Sequence, residues 1–124
     1  MQEPQRILII DDDPSIGEML KDVLEFSGYQ VVYSKRPDEA EKNIELHEVH
    51  LVLLDKLMSG VDGTDVCKRL KSNENVAKVP VVMMTALHDA KNVCIEAGAT
   101  DFISKPFEMQ TLLDTISRVL QKAS

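Results

Sequence analysis

Short apolar runs recur along the chain at "RILII" (Arg6 to Ile10), "YQVVYS" (Tyr29 to Ser34), "HLVLLD" (His50 to Asp55), "VPVVMMT" (Val79 to Thr85) and "DFISK" (Asp101 to Lys105). Three of them are apolar throughout rather than alternating, the pattern of strands covered on both faces in a parallel sheet. The intervening segments read as helices. The first follows Asp13-Pro14, carries Ile16, Met19, Leu20, Val23 and Leu24 on one stripe, and ends at Gly28. The last repeats Met109, Leu112, Leu113, Ile116, Val119 and Leu120 at helical spacing, a core-facing stripe. Weaker helices are expected from Pro37 to about His47, from Thr64 to about Lys71 with Val66, Cys67 and Leu70 inward, and near Ala90 to Ala97 before Gly98.

Five strands alternating with five helices predict a doubly wound α/β sandwich, for which right-handed crossovers leave few strand orders. Ligands of such sheets bind outside the carboxyl ends of the strands, at the switch point.

Composition narrows the function classes. The 124 residues, 44% hydrophobic and 28% charged, suit one domain with one core, without internal repeat or linker. No stretch reaches the roughly 20 apolar residues of a membrane span, and "MQEPQRILIIDDD" lacks the features of a signal peptide, so a cytoplasmic protein is expected. The net charge of -7 disfavours binding of nucleic acid or anionic membrane. Cys67 and Cys94 have no metal-ligand or redox spacing and read as small core residues. His47, His50 and His88 form no ligand cluster with each other or with the cysteines, which argues against zinc.

The chemistry lies at the strand ends. "LVLLDKLMSGVDG" drives an apolar run into Asp55, where an unpaired charge would cost several kcal/mol of desolvation. Taken alone, Asp55 reads equally well as a helix cap. However, Asp11, Asp12 and Asp13 follow the first strand, Thr85 closes the fourth, and Lys105-Pro106 closes the fifth, so these groups should converge above the sheet. Clustered carboxylates raise each other's pKa unless a cation sits among them, and Mg²⁺ suits oxygen ligands of this kind. A carboxylate is also a competent nucleophile for an acyl phosphate. Lys105 would then neutralise charge and Thr85 donate to a phosphoryl oxygen. Singly, Asp13 reads as a helix cap, Thr85 as a strand-end threonine and Lys105 as a surface lysine.

Together, "ILIIDDDP", "LVLLDKLMSGVDG", "VVMMTA" and "GATDFISKPF" resemble, in order, the receiver domain of two-component response regulators, over Arg6 to Leu120. The resemblance implies a flavodoxin-like sheet of order 2-1-3-4-5 flanked by five helices, a single receiver domain with its core at about 6–120. It implies Asp55 as phosphoacceptor, and Mg²⁺ held by Asp11, Asp12, Asp55 and the backbone carbonyl of Leu57. Thr85 would be the switch hydroxyl, Phe102 the aromatic that follows it, and Lys105 the partner of the phosphoryl oxygens, with a cis Lys105-Pro106 bond. The resemblance also implies a small residue where the phosphoryl group approaches backbone, which Ala86 would supply.

The implied partners are a sensor histidine kinase or phosphotransfer protein and an output protein or effector domain. A homodimer through the face of the fourth helix, fifth strand and fifth helix is a further option. Such a domain is not a metabolic enzyme; it catalyses only its own phosphorylation and dephosphorylation. With no effector segment after "QKAS", it is expected to be either free-standing or part of a longer regulator.

Some residues depart from the family pattern. Ser59 stands where proline is usual, which predicts a less stiff loop. Lys56 is expected to point to solvent. The interval from Thr85 to Lys105 is short, leaving the fourth helix uncertain in geometry. The resemblance implies that the positions two residues beyond Asp55 and Thr85 flank the path of the hydrolytic water. Leu57 and Leu87 stand there and offer that water no hydrogen-bonding group, which predicts slow loss of phosphate.

Two other readings compete. One is a receiver-like interaction module that works without phosphorylation, although Asp12, Asp55 and Lys105 are all present. The other is a Mg²⁺-dependent aspartyl phosphohydrolase, but that chemistry uses a second acid two residues after the nucleophile, where this chain has Leu57. A nucleotide-binding loop is absent, as neither G-x-x-x-x-G-K-[ST] nor G-x-G-x-x-G occurs.

Overall fold

A computed structural model describes residues 3–86 and 91–123. Leu87, His88 and Ala90, which figure in the expectations above, lie outside the described residues. The main sheet is parallel and contains β1 (Arg6–Ile10), β2 (Gln30–Ser34), β3 (Leu51–Asp55), β6 (Val81–Thr85) and β7 (Asp101–Ser104). Its order is β2-β1-β3-β6-β7. This is the expected 2-1-3-4-5, with β4 (Leu57–Met58) and β5 (Val61–Asp62) forming a separate antiparallel hairpin. The sequence reading missed that hairpin.

The three central strands are covered on both faces, and their side chains divide with period two. Leu8, Ile10, Val52, Leu54, Val81 and Met83 face α2 (Ala40–Leu46), α3 (Gly63–Ser72) and α4 (Lys91–Glu96), packing with Ile44, Cys67 and Cys94. Ile7, Ile9, Leu51, Leu53, Val82 and Met84 face α1 (Pro14–Phe26) and α5 (Met109–Ala123), meeting Leu20, Leu24, Leu112 and Ile116. Each such aliphatic side chain contributes about 1.5–3 kcal/mol on burial, which keeps the strand register from slipping.

Local signals set the helix starts. Asp13 caps α1 by accepting from the Ser15 N–H at 3.0 Å, with Pro14 in the first turn. Asp62 caps α3 in the same way, accepting from the Thr64 N–H at 2.9 Å. The second helical segment opens as a 3₁₀ turn, Pro37–Glu39, before continuing as α2. Inward stripes form on α1, α3 and α5, but Met19 and Met109 sit at the edges of theirs and are exposed. Among the described residues the fourth helix spans Lys91–Glu96.

Both cysteines are buried, and burial pushes the Cys67 thiol up to about 11, so they serve as packing groups. Among the described residues, no helix is long and apolar enough to cross a membrane.

Candidate phosphoacceptor and metal site

Strand register assembles the site. Ile10 pairs with Leu54, which puts Asp11 level with Asp55 at the carboxyl end of the sheet. Thr85 pairs with Ser104, so Lys105 emerges beside Thr85 and donates its N–H to the Thr85 carbonyl at 2.7 Å. The Lys105-Pro106 peptide is cis, as the resemblance implied. The predicted Asp11, Asp12, Asp55, Thr85 and Lys105 therefore share one end of the sheet.

Asp11 is fully buried, Asp55 is 6% exposed and Thr85 is 2% exposed. One carboxylate oxygen each from Asp11, Asp12 and Asp55 lies within 4.8 Å of the others. Lys105 Nζ stands 3.3 Å from Oδ1 of Asp55 and 3.3 Å from Oδ2 of Asp11. Three carboxylates thus face one ammonium. Burial, and then the Asp11 carboxylate, push the Asp55 carboxyl above its usual range, while Lys105 and a backbone hydrogen bond from Leu57 pull it back. An all-oxygen donor set with surplus negative charge fits a hard divalent cation such as Mg²⁺.

Neighbouring groups fix these carboxylates. Asp11 Oδ1 accepts from the Asp13 N–H at 2.9 Å, and the Asp11 carbonyl accepts from the Tyr33 hydroxyl at 2.9 Å. Gly17 makes room for that tyrosine, since a Cβ there would overlap the Tyr33 ring. Asp12 Oδ2 accepts from both the N–H and the hydroxyl of Ser59, each at 2.7 Å. These two bonds, backbone first, hold the Asp12 carboxyl below its usual range. The departure at Ser59 therefore brings added bonding to the site, a role that residue type alone did not signal.

The segment after Asp55 is pressed close. The Gly63 N–H donates to the Lys56 carbonyl, and a Cβ at Gly63 would run into the carbonyl oxygen of Asp55, so only glycine fits. Lys56 does not point to solvent as expected. Its side chain is 14% exposed and its Nζ lies 3.8 Å from Asp62 Oδ1, because the hairpin folds Asp62 back over it. Leu57 starts the hairpin two residues after Asp55 and is 76% exposed.

Asp55, Lys56, Leu57, Thr85, Ala86 and Lys105 line a cavity of about 240 Å³. Phe102 lies outside it. It is half-buried on the sheet face that carries Met83, with which it is paired in register, and packs with the cluster that includes Cys94 of α4. Strand alternation puts Thr85 and Phe102 on that same face, two residues apart in the ladder.

The model of the response regulator receiver domain matches residues 7–117. The chain is 37% identical over 120 residues to the DNA-binding response regulator MtrA of Mycolicibacterium smegmatis, covering 95% of this chain and 51% of that protein. It is 34% identical over 119 residues to the DNA-binding dual master transcriptional regulator RpaA of Synechocystis sp., covering 94% of this chain and 49% of that protein. Among solved structures, the BeF₃-activated N-terminal receiver domain of Klebsiella pneumoniae RstA superposes with a TM-score of 0.85 at 30% identity, covering 94% of this chain and 98% of that one. With its sheet order and these matches, the chain belongs to the response regulator receiver family. It spans about half the length of the curated relatives it matches.

Proposed function

We propose that this domain is a phosphorylation-controlled switch in which Asp55 accepts a phosphoryl group from a histidine kinase or phosphotransfer protein. The observation that carries the reading is the approach of Lys105 to both Asp55 and Asp11 beneath an accessible cavity. A buried carboxylate with a lysine partner and an opening to solvent is placed for nucleophilic attack on phosphorus. An Asp55 oxygen bonds to phosphorus as the phosphorus–nitrogen bond of the donor's phosphohistidine breaks, and the imidazole leaves with that electron pair.

Asp11, Asp12 and Asp55, with the Leu57 carbonyl, would hold Mg²⁺. Bound there, Mg²⁺ offsets the negative charge of the carboxylates and of the phosphoryl oxygens. The Lys105 Nζ faces Asp55 and would then face a phosphoryl oxygen. The Thr85 hydroxyl donates to another phosphoryl oxygen, and Phe102, on the same sheet face, follows its movement toward the surface of α4, β7 and α5. Phosphorylation then shifts a population between two arrangements of that surface, on which an output protein or effector domain acts.

The domain turns over no metabolite on this reading and works in the cytoplasm beside its kinase. The DNA binding named for the relatives would come from a separate effector. Intact-mass analysis after incubation with a small acyl phosphate and Mg²⁺ tests the assignment, with Asp55→Asn as the variant that should gain no phosphoryl mass.

A further inference from the structure

The hairpin that follows Asp55 reaches across to the other side of the site. Its turn is Ser59-Gly60, between Leu57–Met58 and Val61–Asp62, and Gly60 takes a φ of +72°. Met58 is 3% exposed and anchors one arm in the core, while Gly63 seats the base of the other against Asp55. This geometry brings Ser59 to Asp12, 47 residues away in the chain. The Ser59 N–H and Oγ–H both donate to a single oxygen, Asp12 Oδ2, at 2.7 Å each.

Two hydrogen bonds from one residue to a single carboxylate oxygen anchor that oxygen in place, and bonds to a charged acceptor are the stronger kind. Both fall on Oδ2, so Oδ1 is the oxygen that can turn to a cation without breaking them. A proline at this position would supply neither donor.

We propose that Ser59 is a positioning residue for the divalent-cation site, holding Asp12 from outside the ligand shell and so setting the affinity for Mg²⁺. The inference rests on the reading of Asp11, Asp12 and Asp55 as the Mg²⁺ ligands. Outer-shell hydrogen bonds to metal ligands of this kind are worth about 10- to 100-fold in affinity. In this chain, the loss of loop stiffness expected from replacing proline is offset by a tie between the loop and Asp12.

The test is titration of ¹⁵N-labelled protein with Mg²⁺ alone, following backbone amide shifts for the wild type, Ser59→Ala, Ser59→Pro and Ser59→Thr, with thermal melts to confirm folding. Ser59→Pro should weaken binding by about tenfold, Ser59→Ala by less because its N–H remains, and Ser59→Thr should restore wild-type affinity. Ser59→Ala and Ser59→Thr keep the backbone donor, so they decide the matter even if proline disturbs the hairpin. A wild type that titrates while Ser59→Ala binds equally or more tightly would overturn the role of Ser59 and leave the metal site standing. A wild type that shows no Mg²⁺-dependent shifts would overturn the metal site itself, and the inference with it.

Discussion

Lys105 and Asp55 are 50 residues apart in the chain, yet the lysine Nζ lies 3.3 Å from Oδ1 of the aspartate. Asp11 Oδ2, also 3.3 Å from that ammonium, completes a buried group in which negative charge is in excess. The two partners should therefore respond oppositely to neutralisation. Lys105→Met leaves Asp11 and Asp55 without their counter-charge and should cost roughly 1–3 kcal/mol in urea denaturation at neutral pH without divalent cations. Asp55→Asn removes a repelling charge while Lys105 stays paired with Asp11, and should stabilise by about 1 kcal/mol, a Tm increase of roughly 3–6 °C.

The gain from Asp55→Asn should depend on pH. The Asp55 carboxyl is raised from its ordinary value of 3.8, so the folded chain binds that proton more tightly than the unfolded chain. The stability this brings is fully present below 3.8 and is lost as pH rises through the folded pKa. The advantage of Asp55→Asn over wild type should consequently be largest above the folded pKa and shrink as pH falls toward 3.8. Melts of both proteins across this range, in chelator, measure the difference.

Gly63 lies where the chain doubles back on the backbone of Asp55 and Lys56. Gly63→Ala must displace either the hairpin or the end of β3, and should destabilise by roughly 3 kcal/mol, as overpacking against rigid backbone does. Chemical denaturation checks the size. Amide shifts of Lys56 and Leu57 should move in the folded variant, because the contact falls on those peptides.

The Leu57 side chain is exposed at the cavity mouth and is wholly apolar, with no hydrogen-bonding group. If its side chain leaves the hydrolytic water unassisted, Leu57→Asn should hasten the loss of phosphate from Asp55. The ceiling is about 10²-fold, the low end of what a well-placed general base contributes. The decay of phosphoprotein mass with time compares the two proteins.

The strands and the site cluster were legible because they depend on local pattern and on chain order. Apolar runs ending in Asp11, Asp55, Thr85 and Lys105 need only a parallel register to bring those groups together. Two-residue strands such as Leu57–Met58 and Val61–Asp62 are too short to show any periodicity, so the hairpin stayed hidden. The misreading of Lys56 followed from that. Without the hairpin, nothing brings Asp62 back over the lysine. The partnership of Ser59 with Asp12 was hidden for the same reason, since it depends on where the turn lands. Met19 and Met109 fit a helical stripe by spacing, but spacing does not tell where the sheet beneath ends.

The central claim is that Asp55 accepts a phosphoryl group in a Mg²⁺-dependent reaction. The most direct measurement is intact mass of wild type and Asp55→Asn after incubation with acetyl phosphate, with Mg²⁺ or with chelator, under conditions that preserve an acyl phosphate. The account predicts one added phosphoryl mass in the wild type with Mg²⁺, and none in Asp55→Asn or in chelator. An unmodified wild type, or an adduct that persists in Asp55→Asn, would contradict it.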